Sequence, residues 1–406
     1  MNAIITPAVL SGSVDAPASK SMAHRALICA ALSTSATDII CSTTSVDIEA
    51  TAQCLKALGA EITKTETGFF VEPIKNTTEN AELNCCESGS TLRFMLPVAA
   101  ALGKGVLLDG TGRLPERPIG ELCKAICAHG CLTEGEKLPL KVSGKLMPGT
   151  YEIDGSVSSQ FISGLLLALP VTHEESTIII KGDIQSKPYI EMTLQVLRDF
   201  GVETDFIGNI IKIRPNNGYI TPKNYTVEGD WSNGAFFICA DLIGGNNVKC
   251  FNLTDKSIQG DKAVAEIAKL FAQKEQDLHI DVGNIPDLVP VLAATASFRT
   301  GKTIFFNAAR LKIKESDRIV STAQMVNSLG GNAEPGNDTL TINGLGKLTG
   351  GTVDSFNDHR IVMAAAIAAS ACEKETTILG CEAVNKSYPT FFEEYRKLGG
   401  KVWHQA

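Results

Sequence analysis

Apolar residues recur at three- and four-residue spacing in a series of short segments, most of them closed by a glycine. Residues 48–59 read IEATAQCLKALG, 119–130 IGELCKAICAHG, 190–201 IEMTLQVLRDFG, 319–330 IVSTAQMVNSLG and 391–399 FFEEYRKLG. Each predicts an amphipathic helix whose closing glycine supplies a left-handed C′ residue. A short strand-like run follows four of the five, as at 60–63 and 202–205. The closing glycines, Gly59, Gly130, Gly201, Gly330 and Gly399, lie 71, 71, 129 and 69 residues apart. The long gap has room for one more member, and residues 263–271 (AVAEIAKLF) supply it without the glycine.

The pattern therefore predicts six repeats of about 60 to 70 residues. Each repeat holds a second helical run, at 21–32, 90–102, 160–169, 233–243, 287–296 and 360–369. Between the helices lie β-rich stretches such as Ile178-Ile179-Ile180 and Thr303-Ile304-Phe305-Phe306. The expected class is α/β, with two domains of three repeats each and a seam where prolines, asparagines and glycines cluster at 215–229.

Composition narrows the function classes. The chain has 406 residues, more than one core usually supports, and 44% are hydrophobic, which excludes a disordered chain. A net charge of -8 disfavours nucleic acid as a partner. The longest apolar run, 361–372, is too short to span a membrane, and residues 1–12 lack the basic start and apolar stretch of a signal peptide. Twelve cysteines without a framework predict reduced thiols and a cytoplasmic location. Cys123, Cys127 and Cys131 recur every four residues beside Leu122 and Ile126, and are read as small buried hydrophobes. Six histidines and no coordinating spacing predict no metal.

Several of these second runs start beside polar or charged residues: Lys20-Ser21, Ser88-Gly89-Ser90, Ser158-Ser159-Gln160 and Asp358-His359-Arg360. Helix N-termini favour anions, and the simplest role for the serines is as caps. A cap explains neither Lys20 with Arg25 nor the charges of Asp358-His359-Arg360. Arg117, held before Pro118, is a candidate anion clamp. Residues 311–318 (LKIKESDR) put five charges into eight positions, with Glu315 among Lys312, Lys314 and Arg318. Glu315 and Asp287 are candidate acid/base groups. No nucleophile elbow is present, so the serines read as ligands for an oxygen-rich, multiply anionic substrate.

In chain order the motifs are Pro17-Ala18-Ser19-Lys20-Ser21 with Arg25, Ser88-Gly89-Ser90-Thr91-Leu92-Arg93, Arg117-Pro118-Ile119, Ser158-Ser159-Gln160, Ser186-Lys187-Pro188-Tyr189, Ile285-Pro286-Asp287, Lys314-Glu315-Ser316-Asp317-Arg318, Asn357-Asp358-His359-Arg360 and Lys386-Ser387-Tyr388-Pro389. Together the chain resembles the 5-enolpyruvylshikimate-3-phosphate (EPSP) synthase family from residue 17 to residue 389. The resemblance implies an inside-out α/β barrel architecture, the enolpyruvyl transferase fold: two similar domains, each of three βαβαββ units. One domain would comprise 1–13 with 228–406 and the other 14–227, with the active site in the cleft between them.

The implied reaction moves the enolpyruvyl group of phosphoenolpyruvate to the 5-hydroxyl of shikimate 3-phosphate by addition and elimination. By resemblance, Lys20, Ser21, Arg25, Ser158, Ser159, Gln160, Ser186, Tyr189, Asp287 and Lys314 would hold shikimate 3-phosphate. Phosphoenolpyruvate would meet Lys20, Gly89, Arg117, Gln160, Arg318, Arg360 and Lys386. Glu315 would protonate carbon 3, and Asp287 would orient the 5-hydroxyl and accept its proton, with Lys20 assisting. No cofactor, nucleic acid or membrane is implied, and a monomer is expected.

Three positions depart from many relatives: Glu87 and Ser90 stand where Asn and Thr are common, and Arg310 replaces an Asn. Glu87 adds negative charge to the loop expected to meet phosphoenolpyruvate. The alternatives are the enolpyruvyl transferase acting on UDP-N-acetylglucosamine, whose usual loop cysteine is missing from 110–117, and a non-enzymatic repeat scaffold. The related RNA 3′-terminal phosphate cyclase would need a basic surface.

Overall fold

The computed structural model describes residues 1–273 and 275–405. The chain divides into a middle unit, Ala18–Val227, and a terminal unit, Met1–Pro17 with Glu228–Ala406.

The middle unit carries α1 (Lys20–Ala31), α2 (Val46–Ala57), α3 (Gly89–Leu102), α4 (Gly120–Cys127), α5 (Ser159–Ala168) and α6 (Lys187–Asp199). Three four-stranded sheets repeat one pattern. Ala81–Asn84 runs parallel to Val106–Asp109, then Leu140–Gly144 and Cys131–Thr133 add antiparallel neighbours. A parallel pair needs a crossover, which α3 supplies, and α4 leads into the hairpin. Thr150–Asp154, Ser176–Lys181, Ile210–Ile213 and Thr204–Ile207 repeat the arrangement around α5 and α6. The third sheet borrows its first strand: Asn224–Thr226, at the far end of the unit, lies parallel to Thr37–Ile40.

The terminal unit carries α7 (Trp231–Ala240), α8 (Val264–Phe271), α9 (Val289–Ala296), α10 (Arg318–Ser328), α11 (His359–Ala369) and α12 (Phe391–Lys397). Leu278–Asp281, Lys302–Phe306, Thr339–Asn343 and Ala333–Pro335 form one complete repeat. In the next, the N-terminal strand Asn2–Thr6 is inserted antiparallel to both Thr376–Leu379 and Lys401–Gln405. Ser11–Asp15 pairs in parallel with Asn247–Phe251. The repeat that holds α7 and α8 therefore departs from the expected βαβαββ order among the described residues. Its two strands have no antiparallel hairpin, because residues 272–277 are all that separate α8 from Leu278. The absent closing glycine of 263–271 marks the same truncation.

The helix pairs divide by burial. α3, α5, α9 and α11 are buried on almost every face, whereas α4, α8 and α12 bury three or four residues each. The inner helices are apolar all round and the outer ones amphipathic, as their positions require. Gly59, Gly201, Gly330 and Gly399 follow their helix caps directly with φ of 111°, 75°, 82° and 94°. Gly130 comes one residue later, since α4 ends at its cap Ala128. The run expected at 287–296 is split: Pro286–Leu288 is a 3-10 turn, and α9 starts at Val289. α3 and α5 approach closely at Gly164, where a Cβ would lie 2.2 Å from the Arg93 carbonyl oxygen. That carbonyl has no helical donor because Pro97 lacks an N–H. Among the described residues no helix is long and apolar enough to cross a membrane.

Candidate active site

In the middle unit the inner helices start where the sequence placed its polar clusters. Lys20 opens α1, and its Nζ donates to Asp47 Oδ2 at 2.7 Å; both side chains are nearly buried. One turn on, Arg25 is 1% exposed. Its Nε donates to Thr193 Oγ1 at 2.8 Å, Nη1 to the Ser21 carbonyl at 2.6 Å, and Nη2 to the Tyr189 carbonyl at 2.9 Å. The guanidinium also lies 4.9 Å from the Phe94 ring centre. Burial pushes Arg25 down to about 10. Ser21 and Tyr189 thus meet Arg25 through main-chain carbonyls. Ser186 caps α6 in the left-handed region with φ 53° and is 2% exposed.

Ser158 caps α5 by accepting from the Gln160 N–H at 3.3 Å, and Ser159 is buried beside it. The Gln160 side chain is fixed at both ends: Oε1 accepts from Arg93 Nη1 at 2.6 Å and Nε2 donates to Ser90 Oγ at 2.8 Å. Ser88 caps α3, and Gly89 begins it. A Cβ on Gly89 would lie 2.6 Å from Arg117 Nη1, so any larger residue would push that guanidinium from its place. Gly112 has the same relation to Glu87, whose carboxyl would be 2.6 Å from an added Cβ.

The terminal unit gathers the remaining candidates into one ionic cluster around Arg318, the first residue of α10 and 1% exposed. Its Nη1 donates to Asp287 Oδ1 at 2.7 Å, Nη2 to Glu315 Oε2 at 2.6 Å, and Nε to Asp358 Oδ2 at 2.8 Å. Arg360 Nη2 reaches Asp287 Oδ2 at 3.0 Å and Nη1 reaches the Asp287 carbonyl at 3.1 Å. Lys314 Nζ lies 3.4 Å from Asp287 Oδ1. Lys386 Nζ donates to the Asn357 carbonyl at 2.7 Å, turned toward it by a left-handed φ of 54°. Burial would lower Arg318, but Asp358, Glu315 and Asp287 outweigh it and hold the guanidinium above its usual range. Lys314 is pushed down to about 8, chiefly by burial and against the pull of Asp287.

The dense charges of 311–318 now separate. Leu311 is core, Asp317 caps α10 through the Ile319 and Val320 N–H groups, and Lys312 holds the Asn337 side chain. Lys314, Glu315 and Arg318 join the cluster, and Ser316 Oγ donates to Asp358 Oδ2 at 3.0 Å.

Sequence reasoning missed four groups. Asp358 was legible as part of a motif but not as the two-oxygen partner of Arg318, with contacts at 2.8 and 3.2 Å. Asp47, the partner of Lys20, looked like one more acidic residue in a first helical turn. Arg93 fixes Gln160 from a helix away. Asp261 is 4% exposed in the 3-10 turn ahead of α8, with a buried Oδ1 that has no hydrogen-bond partner. Burial and Asp287, opposed by Arg360, push it up to about 7. Just ahead of the amphipathic α8, an acidic residue is commonplace in sequence. Among the described residues no group of three or more His, Cys, Asp or Glu is placed to hold a metal ion.

Residues 4–395 match the model of the EPSP synthase (3-phosphoshikimate 1-carboxyvinyltransferase) family. The chain is 40% identical to the 3-phosphoshikimate 1-carboxyvinyltransferase of Clostridium novyi, covering 99% of this chain and 98% of that one. It is 39% identical to the enzyme of the same name from Clostridioides difficile, covering 98% and 97%. Among solved structures it is similar in fold to EPSP synthase from Acinetobacter baumannii, with a TM-score of 0.82 at 24% identity over 99% of this chain and 100% of that one. The enolpyruvyl transferase NikO from Streptomyces tendae has a TM-score of 0.76 at 17% identity over 100% and 98%.

Proposed function

Because the chain belongs to the EPSP synthase family, we propose that it transfers the enolpyruvyl group of phosphoenolpyruvate to the 5-hydroxyl of shikimate 3-phosphate. The products are 5-enolpyruvylshikimate 3-phosphate and phosphate, a step in aromatic amino acid biosynthesis. Carbon 3 of phosphoenolpyruvate gains a proton as the 5-oxygen attacks carbon 2. The adduct then loses a proton from carbon 3 and phosphate from carbon 2, restoring the double bond.

The observation that carries this assignment is the pair of carboxylates, Asp287 and Glu315, held on one buried guanidinium with Lys314 and Arg360 beside them. Two proton-transfer groups and several cations in one cluster suit a reaction that adds and removes protons on an anion. Glu315 serves as the acid to carbon 3. Asp287 orients the 5-hydroxyl and receives its proton, with Lys20 assisting. An anion engaging Arg318 and Lys314 competes with Glu315 for positive charge and so favours its protonated form.

Shikimate 3-phosphate is assigned to Lys20, Ser21, Arg25, Ser158, Ser159, Gln160, Ser186, Tyr189, Asp287 and Lys314. Phosphoenolpyruvate is assigned to Lys20, Gly89, Arg117, Gln160, Arg318, Arg360 and Lys386. The substrates bring two phosphates and two carboxylates together. Each like-charge pair at about 4 Å and an effective dielectric near 20 costs roughly 4 kcal/mol before screening, which a surplus of Arg and Lys offsets. The assignment draws on both units, since neither holds all the ligands, and it includes a cytoplasmic monomer without cofactor or metal.

Mixing the protein with shikimate 3-phosphate and phosphoenolpyruvate, without added metal, is expected to release phosphate. Release with UDP-N-acetylglucosamine but not with shikimate 3-phosphate would replace this function with that of the related transferase. No release with either acceptor would favour a non-enzymatic scaffold.

A further inference from the structure

Behind Lys20 and the Gly89 turn, the middle unit buries a chain of side chains that the proposed chemistry does not use. His24 Nδ1 is 2.7 Å from Thr51 Oγ1, which is 2.7 Å from Thr91 Oγ1. Thr91 Oγ1 in turn donates to Ser88 Oγ at 2.8 Å and to the Asp47 carbonyl at 3.3 Å. His24, Thr51 and Thr91 are fully buried, and Ser88 is 1% exposed. The chain joins α1, α2 and α3. Its far end touches both the cap beside Gly89 and the residue whose carboxylate holds Lys20.

Counting protons fixes its direction. A hydroxyl has one proton to donate. The Asp47 carbonyl can only accept, so the Thr91 proton is used toward Asp47 and Ser88. Thr51 must then donate to Thr91, and its own oxygen receives from His24. Nδ1 of His24 therefore carries a hydrogen. Its Nε2 is buried without a hydrogen-bond partner, and the ring meets Phe94 edge-on with centres 6.5 Å apart. A proton on Nε2 would be a buried donor with nothing to receive it. Burial, then Lys20 and Arg25, hold His24 well below the usual imidazole range, in keeping with a neutral ring.

We propose that His24, as the neutral Nδ1–H tautomer, orders the Thr51–Thr91–Ser88 chain, and that these are positioning residues which hold the Gly89 turn and Asp47 for phosphoenolpyruvate, a role that presupposes the enolpyruvyl transfer proposed above. His24 and the two threonines touch no reacting atom in this scheme. They set where the α3 N-terminus and the Lys20–Asp47 pair stand relative to each other.

The test has a spectroscopic and a kinetic arm. Nitrogen-15 NMR of the imidazole of His24, assigned by its loss in His24→Asn, is expected to show protonated Nδ1 and bare Nε2 at pH 7. The opposite tautomer or an imidazolium would overturn the proton order. Thr51→Val keeps the shape and removes the hydroxyl. It is expected to raise KM for phosphoenolpyruvate about tenfold, the size of one lost buried hydrogen bond, while KM for shikimate 3-phosphate and kcat stay within about threefold. Thr51→Ser is expected to restore the parent value. A parent-like KM in Thr51→Val, or an equal rise in Thr51→Ser, would overturn the positioning role. If Thr51→Val does not fold, the tautomer in the parent still decides. A parent that releases no phosphate refutes the enolpyruvyl transfer and with it the positioning role, and leaves the tautomer measurement to decide the proton order.

Discussion

The molecule buries two arginines to the same 1% exposure and surrounds them oppositely. Arg25, in the middle unit, meets hydroxyls, main-chain carbonyls and the face of Phe94. Arg318, in the terminal unit, is enclosed by Asp287, Glu315 and Asp358. The consequences are opposite too. Burial pulls Arg25 down to about 10, whereas the three carboxylates hold Arg318 above its usual range. A buried cation without a carboxylate is costly and attracts an anion. One already balanced by carboxylates is inexpensive to keep, and what it offers is control over the acids that share it. On the proposed assignment, Arg25 is placed to receive negative charge and the Arg318 cluster to control the protons of its carboxylates.

The sharpest break of this contrast is Glu315→Gln. If the terminal cluster exists to move protons, turnover should fall by about 10²–10⁴, the usual worth of a general acid. Affinity for shikimate 3-phosphate, measured by calorimetry, should stay within a few-fold. Turnover surviving within a few-fold would leave Glu315 a structural carboxylate.

Stability separates the two arginines next. Arg318→Met removes the shared cation of three carboxylates, one of them (Asp358) fully buried, and should cost about 3–5 kcal/mol in denaturant unfolding. Arg25→Met should cost about 1–3 kcal/mol, because its neighbours remain satisfied. Thr193 Oγ1 still donates to Ser163 Oγ at 2.8 Å or to the Tyr189 carbonyl at 2.9 Å. The smaller stability loss should come with a larger KM for shikimate 3-phosphate. Equal stability losses would mean that charge compensation does not distinguish the two sites.

How much of this was legible follows from what each signal encodes. Helix period and closing glycines report local backbone demands, so all twelve helical runs were found, including 263–271 without its glycine. The repeat that holds 263–271 was expected to be complete, and its truncation, like sheet membership, was not readable. Asn224–Thr226 joins Thr37–Ile40 from the far end of its unit, and no local pattern encodes a pairing that distant. Candidate cations stood out because charge beside an apolar helix start is unusual. Their partners did not. Asp47, Asp261 and Asp358 each occupy a position where a cap or a first-turn acid is commonplace, and only the fold reveals which cation each one meets.

Lys314 offers the finest discrimination, because it lies in the terminal cluster yet behaves in part like Arg25. Burial, Arg318 and Arg310 lower it, Asp287 and Glu315 raise it, and the balance is about 8. Its side chain keeps 19% exposure, so the effects should be modest. Below pH 8 the folded protein carries the charged ammonium, which can face an anionic substrate. As pH rises through 8 the charge is lost, and shikimate 3-phosphate binding should weaken by less than about tenfold. Folding stability should move the other way. The group binds its proton less tightly in the folded state, so its contribution rises with pH from about 8 toward the unfolded value of 10.5. Lys314→Met and Lys314→Arg should each flatten both trends, since neither side chain titrates between pH 8 and 10.5, and Lys314→Arg alone keeps a permanent cation beside Asp287. Binding and stability that fall together above pH 8 in the parent, and equally in Lys314→Met, would assign the pH response to general alkaline loosening rather than to this lysine.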